Sequence, residues 1–513
     1  MREIRIGKNV IETLTSAMYE DARIIFREYI QNAADQIDKA VESGILKNSI
    51  EGSIHITIDG KNKKIIVEDN GTGLKSDKVV PFLGNIALSE KDRERNKGFR
   101  GIGRLGGLGY CDKLIYETSF TGENIKSIMT WDAVDLQRKL DDQKLDLDAS
   151  SLVNSVIKID YKNAGEEEHY FKVILENVRN KDLLDRKNIE NYLSMTAPLP
   201  FPNHFVFKNK INSELQKDGL SIDEYNIFLN TDRLFKSYAT VIYEGTEFSK
   251  KKIDEIFDIE FIKIFKEKEL LAWGWYGVSK FEKQIPARPN SARGLRLRKG
   301  NIQIGSENTL IKLHKEQRGN FYFIGEVHGF HTGLIPNARR DYFKENEVSI
   351  KFEKELSELF YTKFYKLYHD ANRIKNACKK IVKPIEIEKD YKEKTKNGFS
   401  TKEEKEHLEE NFLKCKEEAK KSGKELERIK ERGKADEVLG KVYERILDNY
   451  NVYSENKDIL AAGSTKTFYR TDKLSKLTKN ERKLLSKVFS VIDLVLTPDL
   501  AENLKQKIEE EFK

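Results

Sequence analysis

The sequence predicts an α+β chain of three domains, and three observations carry that reading. A helical run, IIFREYIQNAADQIDKA, leads into two alternating strands in GSIHITIDGKNKKIIVEDNGTGL. A second strand-rich stretch follows the prolines of TAPLPFPNHF, and the last third is charged and helical. The expected boundaries are 1–165, 166–350 and 351–513. At 513 residues the chain has ample material for several separate cores. Charged residues make up 35% and apolar ones 38%, so much of it must be solvated helix.

Charge and cysteine usage narrow the function classes. Lysine and arginine number 92 against 85 acidic residues, leaving a net +7 with both signs interleaved. That balance is compatible with nucleic-acid contact without requiring it. Cys111, Cys378 and Cys415 are dispersed, with neither a disulfide framework nor metal spacing, which points to a reducing cytoplasm. No signal peptide and no apolar run long enough to span a bilayer is read, so no membrane partner is expected.

Within the first helical run, Glu28, Asn32 and Asp35 stand at i, i+4 and i+7, one row on one helix face. Ile24, Ile25 and Ile37 share that face, so the row should border a buried surface. Buried acids and amides need partners, and Mg²⁺ with a polyphosphate would supply them. The bland alternative is a surface helix. The hairpin then runs into Asp69, followed by Gly71 and Gly73. A carboxylate at a strand end can accept a purine amine while bare glycine backbone lets the ring approach. Asp-Asn-Gly is also ordinary turn chemistry. Next, LGNIALSEKDRERNKGFRGIGRLGGLGY holds too many glycines for a helix, Gly98, Gly101 and Gly103 among them, and suits a mobile loop over phosphates. Val153 to Ile159 reads as a strand that turns the Ser155 hydroxyl inward, toward a base edge or a bound water.

These four motifs in this order resemble the GHKL superfamily of gyrase, the ninety-kilodalton heat-shock chaperone, histidine kinases and MutL. FREYIQNAADQIDKA is similar to the chaperone's first helix motif; LGNIALS, with Asn85, resembles its lid, and GFRG resembles the MutL lid. The family usually has Gly-Thr where this chain has Asn154-Ser155. The resemblance implies a Bergerat-fold α/β sandwich over 1–165 that binds ATP, with Asn32 on Mg²⁺ and Glu28 as general base. It further implies that the amphipathic start, MREIRIGKNVIETLTSAMYEDA, contacts a partner subunit.

The second domain reads as strands YATVIYEG, LLAWGWYGVSKF, GLRLRKGNIQIG and NFYFIGEVHGF, separated by helical pieces such as DEIFDIEFIKIFKEKE. Residues 165–195 read as polar helix. The region looks like the ribosomal-protein-like transducer of GHKL enzymes. GLIPNARRDYFKE resembles the chaperone segment that approaches the γ-phosphate, which makes Asn337 and Arg340 the candidates, with Arg339 as substitute. The other reading of this segment is a helix start where Asn337 caps and Arg340 pairs with an acid. In ARGLRLRKGN, Arg293, Arg296, Arg298 and Lys299 alternate with leucine, giving a strand with one charged face that either serves the phosphate or is solvated. His328 and His331 have no further ligand nearby, so a metal there is not expected.

In the last third, Leu408, Phe412, Cys415, Ala419, Leu426 and Ile429 form a broken heptad with Ser422 at the missing position: a short coiled coil or a helical hairpin. EKDYKEKTKNGFSTKEEKE ahead of it reads as a solvated connector, and the apolar stripe of FSVIDLVLTPDLAENLKQKIEEEF suggests self-association. The functional expectation is an Mg²⁺-dependent ATPase acting as a homodimeric clamp on a protein client. The alternative is a nucleic-acid clamp resembling MutL or the MORC ATPases; stand-alone GHKL proteins of that kind often accompany bacterial defence against phage.

Overall fold

The computed structural model describes residues 6–15, 21–86, 103–246, 248–450, 467–474 and 476–512. They fall into two compact units: residues 1–279 with 283–365, and residues 280–282 with 366–513.

The first unit opens with helix α1 (Asn9–Thr15) and helix α2 (Ile24–Glu42). Strands β1 (Ser53–Asp59) and β2 (Lys64–Asp69) form the expected hairpin, in register from Ile54↔Asp69 to Asp59↔Lys64. β3 (Lys113–Ser119) and β4 (Ile125–Asp132) follow, then α3 (Ala133–Asp141), α4 (Ala149–Asn154), β5 (Ile157–Asn163) and β6 (Tyr170–Glu176). After α5 (Lys181–Leu184), α6 (Arg186–Thr196) and α7 (Lys208–Lys217), the short strands β7 (Asn226–Leu229) and β8 (Asp232–Arg233) complete one eight-stranded sheet. Its order is β5-β4-β3-β6-β2-β1-β7-β8, with β1 and β7 the parallel pair.

α2 packs Ile25, Phe26, Ile30, Ala33, Ala34 and Ile37 onto Ile54, Ile56, Val67 and Leu175 of this sheet. Each fully buried aliphatic side chain contributes roughly 1.5–3 kcal/mol, enough to hold polar neighbours in place on the same helix. Two expectations are corrected here. The stretch 165–195 is not all helix, because YFKVILE forms β6 between β3 and β2. For the same reason the first sheet is not closed at residue 165; its last strands reach Arg233.

The remainder of the unit holds a two-stranded ribbon, β9 (Val241–Thr246) with β10 (Ser249–Glu255), and a five-stranded sheet. The sheet comprises β11 (Asp258–Lys266), β12 (Glu269–Val278), β13 (Gly294–Lys299), β14 (Ile302–Gln303) and β15 (Ile324–Gly329) in the order β11-β12-β15-β13-β14. Helix α8 (Glu347–Leu359) follows, capped by Asn346. The segment expected as helix, DIEFIKIFK, is β11: Ile259, Ile262 and Ile264 are buried as it pairs with β12 along its whole length. Its branched side chains fit a pleated surface better than a helix turn.

The second unit is helical: α9 (Tyr365–Asn397), α10 (Lys402–Ala435), α11 (Glu437–Tyr450), α12 (Lys479–Val495) and α13 (Pro498–Glu511). The expected solvated connector is largely helix; only residues 398–401 break it, where Gly398 has φ 94° and Thr401 caps α10. Cys415, Ser422, Leu426 and Ile429 are the buried residues of α10. α11 returns against α10 through a close approach in which a Cβ on Gly440 would lie 2.9 Å from the Gly433 carbonyl. The hairpin form of the expectation is the one seen.

Candidate active site

α2 has no side-chain cap at its N-terminus and is buried on most faces. Along it Glu28 and Asp35 are buried and Asn32 half-buried, so the polar row faces protein rather than open solvent. The Glu28 carboxylate meets two guanidinium groups. Arg340 Nε lies 3.2 Å from Oε1, and Arg27 Nη2 lies 3.7 Å from it. Oε1 nonetheless accepts no hydrogen bond. Gly103 closes the other side, since a Cβ there would come within 2.2 Å of Glu28 Oε2.

Arg340 itself is buried and holds a left-handed backbone at φ 55°. A bulky side chain in that region is strained, and such strain persists only where the surroundings impose it. Here the Gly305 N–H donates to the Arg340 carbonyl at 2.8 Å, and the Arg340 N–H donates to Asn337 O at 3.2 Å. Of the two candidate arginines, Arg340 is therefore the one turned inward, while Arg339 is exposed. No helix starts at this segment: Pro336 bridges to Phe343, and the Asn337 amide bonds to Asp341 within the loop.

At the end of β2, Asp69 is buried, and its Oδ1 accepts the Gly71 N–H at 2.9 Å. Gly71 and Gly73 leave no room for side chains. A Cβ on Gly71 would stand 2.6 Å from Gln36 Cβ, and one on Gly73, at φ 66°, 1.8 Å from Ser119 O. Asn70 ties the turn to β1 by accepting from Ser53 N at 2.7 Å and donating to Glu51 O at 2.9 Å. These bonds fix where the Asp69 carboxylate sits.

The register places Asp69 opposite Phe171 of β6, and Phe171 opposite Thr118 of β3, one row across three strands. Thr118 Oγ1 accepts from Leu74 N at 2.9 Å and donates to Tyr170 O at 2.8 Å. His169 Nδ1 lies 2.8 Å from Gly71 O, as a donor when that nitrogen carries the proton. Thr118 and His169 are the residues that sequence reasoning missed. The alternating run YFKVILE was the available signal, because it marks the strand that joins them to Asp69.

Ser155 is corrected. It caps α4, is exposed, and its hydroxyl donates to Leu152 O and accepts from Lys139 Nζ. The strand after it, β5, is the sheet edge, with β4, β3 and β6 between it and β2. The glycine-rich loop is corrected in part. Gly103–Gly109 forms 3₁₀ turns whose Arg104 to Leu108 are buried, and Gly107 N donates to Tyr29 OH at 3.1 Å. A buried turn bonded to α2 is not a mobile cover. Asn85 is exposed, and its carbonyl accepts from Arg104 Nη2 at 2.6 Å. Gly98 and Gly101 lie outside the described residues.

The expected charged face of β13 is also not solvated. Arg298 is fully buried, with Nε 2.6 Å from Glu326 Oε1 and Nη2 donating to Met195 O at 2.7 Å. Lys236 Nζ and His328 Nε2 meet the other Glu326 oxygen at 2.8 and 3.0 Å. Burial pulls the Lys236 ammonium down to about 8 and the His328 imidazole down to about 4. Lys299 Nζ donates to the carbonyl of His331 at 2.8 Å. Among the described residues no group of three or more His, Cys, Asp or Glu is disposed to hold a metal ion. No helix among them is long and apolar enough to cross a membrane.

Residues 28–163 match the family described as "Histidine kinase-, DNA gyrase B-, and HSP90-like ATPase". Among curated proteins, the chain is 27% identical over 278 residues to the chaperone protein HtpG of Wigglesworthia glossinidia brevipalpis, covering 50% of this chain and 39% of the chaperone. It is 26% identical over 240 residues to HtpG of Fusobacterium nucleatum, covering 43% of this chain and 37% of that protein. A shorter stretch of 85 residues is 34% identical to HtpG of Rhizobium meliloti, 16% of this chain and 14% of the relative. The matched regions thus span less than half of each relative's length.

Proposed function

We propose that this chain, which carries a GHKL-type ATPase domain and resembles the ninety-kilodalton heat-shock chaperone, binds and hydrolyses ATP as a dimeric clamp that remodels a protein partner. The observation that carries the proposal is the buried Glu28 carboxylate. It stands in one row with Asn32 and Asp35, with Arg340 3.2 Å away and an oxygen that accepts no hydrogen bond. A water between Glu28 and a terminal phosphate would satisfy that oxygen and surrender its proton to it.

In this reading Asp69 takes the purine amine, with Thr118 and His169 holding its turn in place, and Gly71 and Gly73 let that turn pack tightly against Gln36 and Ser119. Glu28 is the general base, a role worth typically 10²–10⁴-fold. Arg340 stabilises the charge that builds on the γ-oxygens, which a planar guanidinium can do bidentately. Asn337 orients the Arg340 loop. Mg²⁺, held through Asn32 and substrate oxygens, would neutralise phosphate charge; that ion commonly binds through few protein ligands plus phosphate. The first sheet and its helices, which run to Arg233, supply nucleotide binding; the strands and loops that follow deliver Arg340, and the helical last third joins two copies.

Self-association is supported by α12, where Leu484, Val488, Val491 and Val495 are exposed at i, i+4, i+7 and i+11. The nucleic-acid alternative drew on GFRG, the coiled coil and the basic strand ARGLRLRKGN, and burial of Arg296 and Arg298 weakens the last of these.

The test is ATP hydrolysis with Mg²⁺ by wild type and Glu28→Ala, with nucleotide binding measured on both. Retained binding with hydrolysis reduced by at least about a hundredfold is expected. A wild type that binds no ATP would sink the proposal.

A further inference from the structure

Behind the Glu28 cluster, within the first unit, lies a cavity of about 540 Å³. It is bounded by the first turn of α2, by α6, by the ends of β13 and β14, and by the Arg339 to Asp341 loop. Six arginines line it against three carboxylates: Asp21, Glu307 and Asp341. Asp69, Asn32 and Thr118 are not part of its wall.

Two of these arginines are more than nine-tenths buried and incompletely satisfied. Arg27 leaves Nε and Nη2 without a hydrogen-bond acceptor. Arg296 gives one nitrogen to Ser291 O at 2.5 Å and another to Glu307 Oε2 at 3.5 Å, but its Nε has no acceptor. Arg293 contributes a third guanidinium, stacked 3.9 Å above the Phe321 ring. Buried donors without acceptors cost free energy, and a guanidinium is the side chain best matched to phosphate oxygens.

We infer that this cavity is a second ligand site, distinct from the nucleotide cleft, for a small molecule carrying at least two phosphate-type groups. The volume falls within the range of small-molecule sites, about 300–1,000 Å³. The unsatisfied donors come from two separate elements, α2 and β13, which a ligand with two anionic groups would engage together. The ligand would share a wall with Arg340 and Arg27, the two cations beside Glu28. Only this last step, and the competition arm below, rests on reading the Glu28 cleft as the ATP site.

The probe is inorganic pyrophosphate, titrated calorimetrically into the full chain already saturated with a non-hydrolysable ATP analogue. One equivalent should still bind. Arg293→Gln, at a half-buried position, and Arg296→Gln should each weaken that binding by about tenfold or more, leaving analogue affinity unchanged. Absence of binding, loss of binding on analogue saturation, or unaltered binding in both variants overturns the inference. If the analogue itself fails to bind, the proposed function fails instead, and titration of the bare protein and the same variants still tests the cavity.

Discussion

Glu28 is held in place as much by a missing side chain as by its charged neighbours. A methyl group at Gly103 would overlap its Oε2 while meeting only the far end of a flexible side chain. Gly103→Ala should therefore fold normally but displace the base, lowering hydrolysis by about a hundredfold with ATP affinity largely kept. Parallel steady-state kinetics and thermal melts would check this. Gly73 is the opposite case, because a Cβ there would strike the backbone at Ser119 O. Gly73→Ala should lower the melting temperature markedly, and an unchanged melt would refute the tight turn. Two buried histidines set the response to acid. Burial pulls both His314 and His328 down to about 4 from an ordinary value near 6.5. The unfolded chain then binds protons that the native state does not, so the contribution of these two groups is full above about pH 6.5 and falls as pH drops toward 4. Melts at pH 7 and pH 5 should show the loss, and His314→Gln should reduce its steepness.

At the scale of elements, α2 was legible because its polar row and apolar positions are local, fixed by helical spacing alone. The β1–β2 hairpin was legible for the same reason, with turn residues between two alternating runs. Ser155 was misplaced because the strand that lies beside β2 is a matter of long-range pairing. The chain spends β3, β4 and β5 before returning β6 to the central position. A strand recognised by its sequence says nothing about its neighbours. β11 was misread because its charged and apolar residues suit a helix as well as a strand, and only pairing with β12 decides. Nor could spacing reveal that Arg296 and Arg298 are buried, since alternation with leucine looks the same when both faces of a sheet are covered. The topology yields a contrast to measure. Ser155→Ala should change ATP affinity by less than about twofold, whereas Thr118→Val should weaken it by about tenfold, since it removes an acceptor from Leu74 N beside the Asp69 turn. Equal effects of the two would contradict the strand order.

For the whole molecule, the proposed function assigns chemistry to the first compact unit and association to the second. The charged, helical character of the last third was plain from composition, but the way its helices fold back was not, because one apolar stripe serves equally for a hairpin or for a second copy. On α12 the stripe remains uncovered, with Leu494 and Val495 among the most exposed apolar residues described. A double change, Val488→Glu with Val495→Glu, should convert a dimer to a monomer in light scattering after gel filtration. ATP affinity should stay near the wild-type value. A wild type that is monomeric at micromolar concentration would remove the dimer from the proposal.

The Glu28–Arg340 pair joins the start of the first unit to its end. During synthesis the base emerges early and its cation much later, after both sheets have been made. A nascent or truncated chain ending before Asn337 would hold the complete first sheet, and could take up nucleotide without turning it over. On the proposed reading, fuel consumption would in this way be reserved for chains whose first unit has been built through to the late arginine.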